Sequence, residues 1–192
     1  QVCADVLLAP RWSTWFDAEM EQWNVTVVTA SGYVLTTAGG STDGEISGSA
    51  DDDLLVVTGY ALAGEGNDVV YGQNGSDRLD GGAGSDRLAG GRGDDVYYVD
   101  DVGDIVVEGS EGGADVVNSS VDYILPEHVE RLTLTGADAV SGTGNVGSNT
   151  LDGSQNTAAN MLLGGLGDDL YILGAGDGVV EQGAVAGAQA LP

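Results

Sequence analysis

The sequence predicts an all-β protein, a right-handed parallel β-roll in which two parallel sheets face each other. Three observations predict this fold. A nine-residue pattern recurs without slippage in the middle of the chain. Glycine fills 33 of the 192 positions and aspartate 22, which favours many tight turns. Short apolar groups follow these turns at a fixed interval, which is typical of very short strands.

The clearest repeats occupy residues 63–98, where four consecutive units read AGEGNDVVY, GQNGSDRLD, GGAGSDRLA and GGRGDDVYY. Each unit is close to the pattern G-G-x-G-x-D-x-U-x, in which U is a large apolar residue. The glycines permit positive φ angles and the aspartate ends the turn, so the first six residues form a turn. The last three residues then form a minimal strand with one side chain facing inward.

Less regular units extend the pattern in both directions. A rougher unit, GSADDDLLV, lies at 48–56, and a good one, GGLGDDLYI, lies at 164–172. Degenerate continuations follow the two good stretches at 102–108 and 175–181. A flexible glycine linker would not carry leucine, valine and tyrosine in register, so the pattern indicates a folded repeat.

Two units of nine residues complete one coil of the roll, so residues 18 positions apart stack on each other. Leu79 should lie over Tyr97 in the core, and Asp77 over Asp95 at the turns. Neighbouring coils lie about 4.8 Å apart, which places an ion between two turns about 2.4 Å from each. That is the distance between calcium and its oxygen ligands. Two bare carboxylates at this spacing repel by roughly 3–4 kcal/mol at an effective dielectric of about 20, so several calcium ions should be needed for folding.

The units at 63–98 and 164–172 resemble the RTX nonapeptide repeats of secreted bacterial proteins, which form calcium-loaded parallel β-rolls. Residues 119–138 and 142–171 are similar to segments that recur between repeat blocks in large RTX proteins. The resemblance therefore covers about residues 45–183. It implies that the sixth residue of each unit binds calcium together with the backbone carbonyls of the turn glycines.

The resemblance implies two sets of calcium ligands. The carboxylate ligands are Asp53, Asp68, Asp77, Asp86, Asp95, Asp104 and Asp169. The glycines of the binding turns are Gly64, Gly66, Gly72, Gly75, Gly81, Gly84, Gly90, Gly93, Gly164 and Gly167. Some units depart from the pattern, because Ser49, Asp51 and Gln73 stand in glycine places. Asn149 and Asn160 replace the aspartate, so we expect their turns to bind calcium weakly or not at all.

Residues 1–45 do not fit the repeat and are expected to form a small aromatic-rich cap. The spacing of the aromatic residues predicts a short helix over about 11–23, followed by strands at 25–28 and 33–37. This element either seals the open end of the roll or docks onto another protein or another copy. The candidate interface residues are Trp12, Trp15, Phe16 and Trp23, with Val6, Leu7 and Leu8 of an apolar N-terminal arm. The roll then spans 46–183, with an irregular middle segment at about 109–141, and 184–192 form a tail.

Composition excludes several classes of function. The chain has 31 acidic and five basic residues, a net charge of −26, which argues against nucleic acid or an anionic membrane surface as partner. No apolar run is long enough to span a bilayer, so membrane insertion is not expected. The HExxH, GxSxG and P-loop motifs of common enzyme classes are absent, and His128 is the only histidine. We therefore predict that the chain is not an enzyme.

Together these features predict a secreted calcium-binding structural protein, extracellular or at the cell surface of a bacterium. It would be an S-layer, adhesin or filament subunit that folds when calcium is bound and self-associates into a polymer or surface layer. Both ends of a roll expose strand edges, which favours end-to-end stacking. The alternative is the C-terminal secretion and folding module of an enzyme, such as a protease, lipase or epimerase, whose catalytic half lies elsewhere.

Overall fold

The computed structural model of the chain describes residues 23–28, 34–39 and 45–181. Within these ranges the chain forms eighteen strands of two to six residues and no helix. The first nine strands are β1 Trp23–Val28, β2 Val34–Gly39, β3 Glu45–Ser47, β4 Leu54–Val56, β5 Tyr60–Glu65, β6 Val69–Tyr71, β7 Arg78–Ala83, β8 Arg87–Ala89 and β9 Val96–Val99. The other nine are β10 Ile105–Val107, β11 Val116–Ser119, β12 Tyr123–Ile124, β13 Arg131–Leu134, β14 Ser141–Thr143, β15 Thr150–Asp152, β16 Met161–Leu163, β17 Leu170–Ile172 and β18 Gly178–Val180.

The strands form a parallel β-solenoid of about eight turns, which confirms the all-β fold class expected from the repeats. From β4 onward the chain alternates between two sides of the solenoid. One side is a single sheet in the order β17-β15-β13-β11-β9-β7-β5-β3. The other side holds a sheet in the order β1-β2-β4-β6-β8-β10, followed along the axis by a sheet in the order β12-β14-β16-β18.

The register agrees with the 18-residue coil in the region of the best repeats. Val70 pairs with Leu88, and Leu79 pairs with Tyr97, each in a parallel ladder. All four side chains are fully buried, since each is a residue of its strand that faces inward. The two arginines that precede such inward residues, Arg78 and Arg87, are exposed.

Coils outside this region have other lengths, yet the ladder continues. The parallel ladder pairs Leu54 with Val69 across a coil that is shorter than two repeat units. It pairs Val96 with Val116 across a coil that is longer than two units. Strand β11 pairs with both β9 and β13, so the middle segment at about 109–141 belongs to the same solenoid. The extra or missing residues lie in turns, where they leave the core column intact.

The first two strands form an antiparallel hairpin, and β2 also pairs with β4 in a parallel ladder. The predicted strands at 25–28 and 33–37 are thus present, with slightly different bounds. The prediction of a helix ending at Trp23 is wrong at that residue, because Trp23 begins β1, where the β-branched run that follows favours a strand. The rest of that helix lies outside the described residues. So do the other six interface candidates, Trp12, Trp15, Phe16, Val6, Leu7 and Leu8, and the tail at 184–192. The described part of the chain holds no helix of the length and apolarity that a bilayer crossing requires.

Candidate metal sites

Buried carboxylates stand directly before the strands of both sheets and form two rows along the solenoid. The first row is Asp53, Asp68, Asp86 and Asp104, which precede β4, β6, β8 and β10. The second row is Asp77, Asp95 and Asp115, which precede β7, β9 and β11. All seven are at most 7% exposed. Buried carboxylates are costly unless a hydrogen-bond donor or a cation stabilises them, so the contacts of each oxygen decide what the rows can bind.

One oxygen of most row members accepts a hydrogen bond from the backbone of the preceding coil. The Asp68 amide donates to Oδ1 of Asp86 at 2.8 Å, and the Asp86 amide donates to Oδ1 of Asp104 at 2.9 Å. In the second row, the amides of Asp77 and Asp95 donate to Oδ1 of the next member at 2.7 and 2.8 Å. The aspartates 18 residues apart therefore stack as their spacing predicts, Asp115 stacks on Asp95 across 20 residues, and Oδ1 is held in place by the coil before it.

The second oxygen often has no partner. Among the described residues, the Oδ2 atoms of five aspartates are buried and make no hydrogen bond: Asp68, Asp86, Asp95, Asp115 and Asp169. Four of these were expected to be calcium ligands from the sequence. An ionised oxygen that is removed from water without a donor lowers stability by several kcal/mol, and a hard cation is the partner that such an oxygen can bind. These five oxygens fit calcium.

In several turns that depart from the repeat sequence, Oδ2 of the aspartate accepts a hydrogen bond from the protein. The Ser49 amide donates to Oδ2 of Asp53 at 2.6 Å, and the Gln73 amide donates to Oδ2 of Asp77 at 3.2 Å. Both donors occupy the second position of their turn, where the pattern has glycine. Oδ2 of Asp104 likewise accepts from turn amides. The free Oδ2 atoms of Asp68, Asp86, Asp95 and Asp169 occur instead in units whose second residue is a glycine at positive φ.

The turn glycines let successive turns approach more closely than any side chain would allow. A Cβ on Gly84, at φ +138°, would stand 1.6 Å from the carbonyl oxygen of Gly66 one coil earlier. The same holds for Gly64, Gly93 and Gly167, where a Cβ would lie 2.0–2.4 Å from the nearest backbone oxygen. A Cβ on Gly66 would lie 2.8 Å from a carbonyl carbon. Gly75, at φ +106°, has open space around it. Carbonyl oxygens therefore face the turn stack, and they are ligands that calcium accepts.

The first glycine of a turn leaves room beside the free carboxylate oxygen. A Cβ on Gly81, Gly90 or Gly164 would lie 2.1–2.2 Å from Oδ2 of the aspartate in its own turn. For Gly72 the distance to Oδ2 of Asp77 would be 2.6 Å. Of the ten predicted glycines, all but Gly75 would place a Cβ within 3 Å of another atom, and Gly64 and Gly81 lie at strand positions, in β5 and β7.

Burial and the neighbouring carboxylates make these aspartates hard to ionise. Burial raises the pKa of Asp86 and of Asp95 from 3.8 to about 7, with a further rise from adjacent row members. The pKa of Asp68 and of Asp115 is raised to about 6 for the same reasons, burial being the largest. A bound divalent cation would reverse this effect by favouring the ionised form.

We expect the metal-free solenoid to be more stable at pH 5 than at pH 8. A carboxyl group whose folded pKa is raised favours the folded state only while it can stay protonated, so stability is lost as pH rises from about 4 to about 7. Urea unfolding in chelator at several pH values measures this. Asp86→Asn should reduce the pH dependence, and an unfolding midpoint that rises from pH 5 to pH 8 would contradict the assignment.

Asparagine replaces aspartate in the later coils and supplies hydrogen-bond donors there. The side-chain amide of Asn149 donates to the carbonyl of Val129 at 3.0 Å, and that of Asn160 to the carbonyl of Ala158 at 3.0 Å. Asn156 bridges the carbonyls of Thr135 and Asp138. These side-chain amides donate to backbone carbonyls of the turns. In the described aspartate turns, no side-chain amide donates to a turn carbonyl. The coils around residues 141–163 are therefore held by the protein itself.

Two carboxylates of the site region were missed in the sequence. Asp115 belongs to the second row, but it follows Asp95 by 20 residues, so a strict count of nine or eighteen passes it over. The sequence GGAD at 112–115, followed by two valines, resembles the end of a repeat turn and could have indicated this aspartate. Glu108 lies near Asp95 and Asp115 and has no counterpart in the nine-residue pattern.

Comparison with known proteins agrees with the pattern. Residues 62–97 match the family model described as RTX calcium-binding nonapeptide repeat, in four copies. Neither the curated proteins nor the solved structures gave a match. The matched residues contain Asp68, Asp77, Asp86 and Asp95 with their glycine turns. This part of the chain therefore matches the RTX calcium-binding nonapeptide repeat, as the sequence predicted.

Proposed function

We propose that this chain is a secreted calcium-binding structural protein, a subunit of a surface layer, adhesin or filament that folds and self-associates when calcium binds. The observation that carries the proposal is the set of five buried Oδ2 atoms without a donor, three of which, those of Asp68, Asp86 and Asp95, lie in the matched calcium-binding repeats. Each is one oxygen of a carboxylate fixed by its backbone contacts. Calcium would then act as part of the fold, with binding energy appearing as folding energy.

The surface supports a structural role in place of catalysis. An RTX β-roll is a structural calcium-binding arrangement and is not a catalytic fold. His128 lies exposed in a turn, at a left-handed φ of 68°. In the described part of the chain, β17 and β18 end their sheets, and Leu170 and Val180 on them are 47% and 40% exposed. Exposed apolar side chains on a terminal strand favour pairing with another copy.

Calcium-dependent assembly is the expected result when the purified chain is examined by light scattering and negative-stain electron microscopy. Ordered polymers should form in millimolar calcium and should be absent in chelator or in equal magnesium. Leu170→Lys should weaken assembly because it places a charge on the terminal strand, whereas the matched control Val102→Lys, at a turn residue that is 76% exposed, should not. A chain that binds calcium and stays monomeric would instead favour the folding module of a secreted enzyme.

A further inference from the structure

The turn after β10 differs from the repeat turns because it begins with a glutamate. Val107 pairs with Ala89 one coil earlier, so Glu108 takes the place that Gly90 has in the preceding coil. The turn that Glu108 opens is also two residues longer, since it ends at Asp115. A carboxylate therefore enters the stack at a position where the repeats leave space beside the aspartate.

Three carboxylates converge at this point. One oxygen each of Asp95, Glu108 and Asp115 lies within 4.8 Å of the other two. Asp95 and Asp115 are fully buried, and the Oδ2 atom of each has no hydrogen-bond partner. Three ionised carboxylates at this spacing repel strongly unless a cation lies between them.

Tyr97 holds the glutamate in this arrangement. Its hydroxyl donates to Oε1 of Glu108 and accepts a hydrogen bond from the Gly90 amide at 2.8 Å. The Gly109 amide donates to Oε2 of Glu108 at 3.0 Å. Hydrogen bonds thus fix the direction of both oxygens of Glu108. The Oδ2 atoms of Asp95 and Asp115 have no such bond and lie in the space that the three carboxylates share.

We propose that Asp95, Glu108 and Asp115 bind one further calcium ion where the nine-residue repeat ends. The site differs from those of the repeats in its ligands. Three carboxylates, one of them from a glutamate, would bind the ion here, whereas aspartates and turn carbonyls would bind it in the repeats. Carboxylate oxygens are the ligands that a hard divalent cation prefers. The proposal rests on the calcium-dependent folding proposed above, and it extends the metal column beyond the matched repeats.

A similar arrangement recurs near the end of the described chain. A Cβ on Gly164 would lie 2.2 Å from both Oδ2 of Asp169 and the hydroxyl of Tyr171. The corresponding distances at Gly90 are 2.1 Å to Asp95 and 2.3 Å to Tyr97. An aspartate and a tyrosine hydroxyl therefore lie beside the first glycine of two turns of the described chain, both with the sequence G-G-x-G-D-D.

The test counts bound ions. Native mass spectrometry in saturating calcium should find one ion fewer per chain in Glu108→Gln than in the unchanged protein. Glu127→Gln, an exposed glutamate with the same change in charge, should keep the full number. An unchanged count in Glu108→Gln would overturn the proposal and leave calcium binding by the repeats intact. If the unchanged protein bound no calcium, the proposed function itself would fail.

A second measurement uses the tyrosine and decides the question if Glu108→Gln does not fold. Terbium in place of calcium should show emission excited through Tyr97, because its hydroxyl contacts a proposed ligand. Tyr97→Phe keeps all three carboxylates, so it should retain the ion count while losing most of that emission. Equal emission from Tyr97→Phe and the unchanged protein would place no ion beside Tyr97 and would overturn the proposal.

Discussion

Removal of calcium at pH 8 is expected to unfold the coils between residues 46 and 115. Five stacked pairs of row members occur there: Asp53 with Asp68, Asp68 with Asp86, Asp86 with Asp104, Asp77 with Asp95, and Asp95 with Asp115. Each ionised pair repels by roughly 3–4 kcal/mol at the spacing of neighbouring coils. Five such terms amount to at least the whole stability of a typical domain, about 5–15 kcal/mol.

Hydrogen exchange followed by mass spectrometry resolves this effect along the chain. Amides in 46–115 should lose protection in chelator and regain it when calcium is added. Magnesium at the same concentration is the control and should restore little, because it needs shorter distances and octahedral geometry. Full protection of these coils in chelator at pH 8 would contradict a structural role for the ion.

The second large effect is expected for Gly84→Ala. Its Cβ would stand 1.6 Å from the carbonyl oxygen of Gly66, so the two turns could not stack without moving apart. Overpacking of this kind costs about 1–3 kcal/mol and the positive φ a similar amount. We therefore expect a loss of roughly 2–6 kcal/mol in the free energy of unfolding, measured by urea denaturation in saturating calcium.

Gly75→Ala is the matched control for backbone strain. Gly75 also has a positive φ, +106°, but nothing lies within 4 Å of the place its Cβ would take. Only the strain, about 1–3 kcal/mol, should appear. Equal losses in the two variants would mean that the close approach of the turns contributes little to stability.

The fold was predictable because the period of the repeat determines the register. Leu79 and Tyr97 occupy the same place in alternate units, so they had to pair once two units made a coil. Period alone could not show how each carboxylate is bonded. The backbone amide of Gln73 donates to Oδ2 of Asp77, whereas the glycine of the neighbouring turn leaves Oδ2 of Asp86 free. This difference depends on the direction of one amide.

Positions beyond the regular repeat were harder to predict because no period determines their register. Asp115 joins the second row through a coil that is longer than two repeat units, and a sequence pattern carries no rule for where the extra residues go. Trp23 fits the apolar spacing of a helix, yet the strand-forming run after it determines its conformation.

The asparagine amides that hold the coils around residues 141–163 have a consequence for the order of events during folding. This section shares one continuous sheet with the aspartate-rich coils through β13 and β11. It offers a template that is present before the ion arrives, and each new coil can add its strands to an existing neighbour. Folding should therefore propagate from the C-terminal coils toward the N-terminus as calcium is supplied. In the exchange experiment, protection would return first next to residue 115 and last at residue 46.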